Sequence, residues 1–96
     1  MNESKYYVHI DDNYHYMDET ERRSGGVYDD CQAALAICKQ IVDSSLTEQY
    51  QEGMTAEHLL RQYHLFGDDP WIASSTDDCK FSAWKYAERR CQEMCG

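Results

Sequence analysis

The chain has 96 residues, 42% of them apolar and 28% charged, and carries a net charge of −9. That length makes one domain able to bury about 60–70% of its unfolded surface, and the ordinary globular composition excludes a disordered chain. The excess of acid in both halves excludes direct nucleic-acid binding, which needs a basic stripe, and no run approaches the roughly 20 apolar residues of a membrane span.

Tyr6, Val8 and Ile10 alternate with Tyr7, His9 and Asp11. This period of two predicts a half-buried strand, ended by the turn formers Asp12 and Asn13. Tyr14 to Glu21 reads as a loop. A second short strand is expected from Arg22 to Tyr28, with Gly25-Gly26 marking a bulge or turn. Asp29 or Asp30 then caps a helix over about residues 30–50. Its apolar stripe is Cys31, Ala34, Leu35, Cys38, Ile41, Val42, Ser45 and Leu46. Thr55 caps a shorter helix that buries Leu59, Leu60, Tyr63 and Phe66 and stops at Gly67. Asp68-Asp69-Pro70 reads as a turn into a third strand, Trp71 to Ser74. After a polar loop, Ser82 caps the last helix. Phe81 and Tyr86 form a hydrophobic staple across its start, and Trp84, Ala87, Cys91, Met94 and Cys95 make the inner face, with Ala83 beside it. The order β-β-α-α-β-α predicts an α+β fold: a small, mainly antiparallel three-stranded sheet with helices packed on one face.

Five cysteines exclude a fully paired disulfide framework. Cys31 and Cys38, and likewise Cys91 and Cys95, fall on one face of a helix and are expected to serve as small apolar core residues. Cys79 lies beside Asp77, Asp78 and Lys80. Acids raise a thiol's pKa, so it is expected to be inert, or a chance oxidation site. The opening residues include Glu3, Asp11 and Asp12 and have no apolar run, so no signal peptide is expected. A soluble, cytoplasmic chain follows.

Four segments together resemble a family of small, uncharacterised bacterial proteins. They are YVHIDDNYHYMDETER (Tyr7 to Arg22), CKQIVDSSL (Cys38 to Leu46), GMTAEHLLRQYHLFGDDPWI (Gly53 to Ile72) and FSAWKYAERRC (Phe81 to Cys91). The family has a Y-V-x-x-D-D-N-x-H-Y-M-D-E start, a G-x-D-P-[FW]-I middle and an F-S-A-W-x-Y-A end. The resemblance spans nearly the whole chain. It implies a shared fold and a bacterial setting, and it brings no activity and no catalytic residues.

The segment from Tyr6 to Glu21 mixes aromatic rings with carboxylates, a combination suited to the boundary between core and water. Its spacing is not that of a calcium loop: Tyr16 stands where glycine is needed and Arg22 where the closing glutamate belongs. His9, Asp11 and His15 are a minor metal candidate, set against the commoner role of such groups in capping a turn. No nucleophile motif and no phosphate loop is present, and no cofactor is implied. Tyr7, Tyr14, Tyr16 and Trp71 would form an exposed patch rimmed by Asp11, Asp12 and Asp18 if the second face of the sheet is open, set against the commoner outcome in which most of these rings pack on the loop and close the edge of the core. The expected function is that of a non-catalytic module that binds a protein partner, a second copy of the chain included. The alternative is an acidic regulator of a basic, nucleic-acid-binding protein surface. A small metal-dependent enzyme is the third.

Overall fold

Strand β1 (Tyr6–Asp12) lies at the centre of a three-stranded sheet and pairs antiparallel with β2 (Arg23–Tyr28) on one side and β3 (Asp68–Ser74) on the other. The described residues also form three helices: α1 (Cys31–Gln49), α2 (Ala56–Phe66) and α3 (Ala83–Cys95). This computed structural model describes residues 5–12, 22–74 and 79–95. The predicted α+β order and antiparallel sheet are therefore those observed.

The alternation read in β1 decides which face is buried. Tyr6, Val8 and Ile10 point into the core, whereas Tyr7 is 45% exposed. Pairing with β2 runs from Val8↔Gly26 to His9↔Ser24, so Gly25 is the extra residue of a bulge. A side chain on Gly25 would run into that of Val8, and Gly26 adopts φ +107°, a region that L side chains rarely enter.

The expected turn at Asp68-Asp69-Pro70 is instead the first part of β3, in register with Asp12, Asp11 and Ile10. Gly67 already makes the turn, its N–H donating to the Tyr63 carbonyl at 2.8 Å. β3 is an edge strand, where the missing proline N–H costs no ladder bond, and the residue before a proline favours extended backbone.

Side-chain caps start each helix as its sequence predicts. Asp30 Oδ1 accepts from the Gln32 N–H at 3.1 Å, Thr55 Oγ1 from His58 N–H at 3.1 Å, and Ser82 Oγ from Lys85 N–H at 3.4 Å. The Phe81 and Tyr86 rings stand 5.7 Å apart across the start of α3, as a staple requires. Helix α1 serves two packing layers. Ala34 and Cys38 meet Tyr6 and Val8 of the sheet, while Val42 and Leu46 meet Leu59, Tyr63, Ala87 and Cys91 of the other helices. Asp43 ties α1 to α3 by accepting from the Tyr86 hydroxyl at 3.1 Å and from Arg90 Nε at 2.9 Å.

Two aromatics expected inside lie outside: Phe66 is 49% and Trp84 43% exposed. The buried stripe of α3 is Ala83, Ala87 and Cys91, one residue out of phase with Trp84. Small residues there let α3 approach closely, and the indole is left to stack on His64 at 4.3 Å. Phe66 ends α2, where the chain already leaves the core.

Cys38 and Cys91 are core thiols as expected, and burial pushes each up to about 11. Cys31 and Cys79 are not. They form a disulfide with Cα atoms 5.8 Å apart, within ordinary bridging range. Cys79 is only 3% exposed because it enters the cluster formed by α1 and the sheet. One bridge and three free thiols account for the odd number of cysteines.

Candidate interaction face of the sheet

Residues directly opposite one another on paired strands share a face. The register therefore places Tyr7 beside Val27 and Ala73, His9 beside Trp71, and Asp11 beside Asp69. None of these side chains belongs to a core cluster. Tyr7 and Val27 are 45% and 53% exposed. Among the described residues the Tyr7 and Val27 side of this face is open, whereas the start of α3 flanks it beside Asp69 and Trp71.

Trp71 organises the middle of this face. Its ring centroid is 4.7 Å from that of His9, and the Arg22 guanidinium lies over it at 5.1 Å. Its indole N–H donates to Asp11 Oδ2 at 3.2 Å, and Arg22 Nε donates to Asp11 Oδ1 at 2.6 Å. Asp11 is thereby held by one cation and one neutral donor.

The structure joins Tyr7, Asp11 and Trp71 as the sequence reading required. Asp12 departs from it: strand alternation turns it to the opposite side from Asp11, in register with Asp68. Tyr14, Tyr16 and Asp18 lie outside the described residues. So does His15 of the metal candidate, and the described residues include no group of three ligands able to hold a metal ion. His9 packs on Trp71 and Asp11 is bonded to Arg22, so both are engaged in other contacts. The sequence reading missed Val27, Arg22 and Asp69, whose place on the face depends on strand pairing.

Asp69 differs from its neighbours. It lines an open groove of about 490 Å³ between β3 and the start of α3, with Trp71, Phe81, Ser82, Ala83 and Trp84. Arg22 serves Asp11 and Arg23 serves Asp68, but no side-chain hydrogen bond or ion pair reaches the Asp69 carboxylate from the described residues. Burial, and secondarily the Asp11 charge, push its carboxyl up to about 6. Charging Asp69 therefore opposes folding. The folded state holds a proton that the unfolded state releases near the ordinary value of 3.8, so stability falls as pH rises from there through about 6. A fully buried group with this shift would lose about 3 kcal/mol. Asp69 is only half-buried, and solvent screening leaves about 1 kcal/mol. Asp69→Asn is accordingly expected to stabilise the chain by about 1 kcal/mol above neutral pH and by nothing near pH 3.8. Urea unfolding at both pH values checks this, and a loss of stability at high pH would refute it.

No helix among the described residues is long and apolar enough to cross a membrane. No family model, no curated protein and no solved structure matches the chain.

Proposed function

We propose that the chain is a non-catalytic protein-binding module that offers the sheet face centred on Tyr7, Val27 and Trp71 to another protein. The observation that carries this reading is the joining of exposed Tyr7 and Val27 with the half-buried Trp71, apolar side chains from all three strands, on a face that no core cluster of the described residues claims. Aromatic and apolar centres with polar rims are how protein interfaces are built. The Cys38 and Cys91 thiols are buried and held protonated, which suits core packing rather than nucleophilic chemistry. A second copy is the less favoured occupant, because face-to-face contact would bring two sets of Asp11 and Asp69 together at a net charge of −9 per chain. A cytoplasmic setting and kinship with the small bacterial family belong to the same proposal.

The test replaces Tyr7 and Val27, both exposed, with glutamate. Cross-linking and affinity capture from bacterial lysate are expected to lose the partner in the doubly substituted chain, while its circular dichroism stays unchanged. Recovery of the same proteins in the same amounts would refute the sheet-face reading. Light scattering reads self-association directly, and a dimer abolished by Tyr7→Glu would make the second copy the occupant.

A further inference from the structure

We infer that the groove between β3 and the start of α3 receives an arginine side chain from a basic protein partner, with Asp69 as counter-ion and Trp84 as aromatic wall. This rests on the protein-binding reading and names the partner's chemistry. The first support is the distribution of cations within the chain. All nine Lys and Arg residues lie among the described residues. Arg22 pairs with Asp11, Arg23 with Asp68, Lys5 with Asp29, and Arg90 with Asp43 and Glu93. No lysine or arginine of the chain pairs with Asp69. The carboxylate is half-buried, faces Asp11 across the strand pair, and weakens the fold when ionised, so its presence is not explained by stability. Perturbed, uncompensated charges of this kind concentrate at functional sites.

The second support is the groove's lining. Trp84 keeps 43% of its surface exposed even with His64 stacked on it. Phe81, Ala83 and Trp71 add apolar walls, with Ser82 the one other polar side chain of the lining. A carboxylate among aromatic rings matches a guanidinium, which stacks on an indole while its planar fork binds the carboxylate. The chain builds that arrangement once for itself on the same face, where Arg22 covers Trp71 and bonds Asp11. A lysine ammonium lacks the flat stacking surface, and an acidic second copy supplies the wrong charge.

The test uses the full chain labelled with ¹⁵N and three glycine-flanked peptides that differ at one position: arginine, lysine or uncharged citrulline. The chain's two tryptophans give two indole N–H signals to follow. Both are expected to move with the arginine peptide, less with lysine, and not with citrulline. Asp69→Asn should weaken arginine binding about tenfold, the worth of one charge-assisted contact. Trp84→Ala, an exposed substitution, should weaken it as well. Asp29→Asn, remote and exposed, should leave it unchanged. Equal affinity in Asp69→Asn, or equal response to citrulline, would overturn the groove while leaving capture through Tyr7 and Val27 intact. The converse, arginine binding that needs Asp69 in a chain whose capture ignores Tyr7 and Val27, would overturn the sheet-face reading instead.

Discussion

Breaking the Cys31–Cys79 bond, by reductant or by Cys79→Ala, is expected to lower folding stability by about 3–4 kcal/mol. The bond joins the first residue of α1 to the segment that leads into α3, with a sequence separation of 48. Tying such distant residues removes many conformations from the unfolded chain, and the chain-entropy estimate for a loop of this length is about 4 kcal/mol. The bonded Cys79 also packs beside Tyr6, Val8, Ala34 and Cys38, so the alanine variant adds a small packing loss that reduction does not. A domain of this size has roughly 5–10 kcal/mol to lose, which makes the bridge a large share of the total. Urea midpoints of oxidised and reduced protein measure the effect. Thiol titration of the denatured, unreduced chain should find the three free cysteines. Five reactive thiols, or coincident midpoints, would refute the expectation. In a reducing compartment the same pair stands as thiols, and the chain works correspondingly nearer its unfolding threshold.

Features that depend on neighbours in the chain were readable from the residues alone. The stripe from Ala34 to Leu46, the alternation of Tyr6, Val8 and Ile10, and the caps at Asp30, Thr55 and Ser82 all follow from local spacing and side-chain chemistry. What depended on distant contacts was not readable. Whether Asp68 to Pro70 turn or extend is decided by β1 lying alongside to pair with them. The Cys31–Cys79 bridge requires the α1 start and the residues before α3 to meet, which no spacing reveals. Trp84 looked like a core residue because its helix is amphipathic, but the closest approach falls on Ala83, a rotation of one residue. The candidate face was half visible for the same reason. Tyr7, Asp11 and Trp71 carry an aromatic and acidic signal in the sequence, whereas Val27, Arg22 and Asp69 join them only through register.

Gly67→Ala is expected to destabilise the fold by about 3 kcal/mol, at the upper end of the cost of overpacking. The reason is contact rather than backbone conformation, since Gly67 has φ −80° and ψ 169°, open to any residue. A methyl group there would collide with the Tyr63 ring, lying 2.7 Å from Cε1 and 2.8 Å from the Tyr63 carbonyl oxygen. Neither neighbour is free to yield. The ring is fully buried against Leu46, Leu59 and Ala87, and its hydroxyl donates to the Asp68 carbonyl at 2.6 Å. The carbonyl oxygen is the acceptor that closes α2. Displacing the ring would also pull on β3 at Asp68, whose N–H donates to Ser45 Oγ at 3.0 Å, and so would loosen the end of the sheet that carries Asp69. The two effects separate in a double-substitution cycle. With Tyr63→Leu in place the space beside residue 67 opens, and the added cost of Gly67→Ala should fall by more than half. Denaturant midpoints at constant m-value give both numbers. A Gly67→Ala chain within about 0.5 kcal/mol of the parent would show that the ring can move aside, and the β3 anchor would then have to lie elsewhere than at Tyr63.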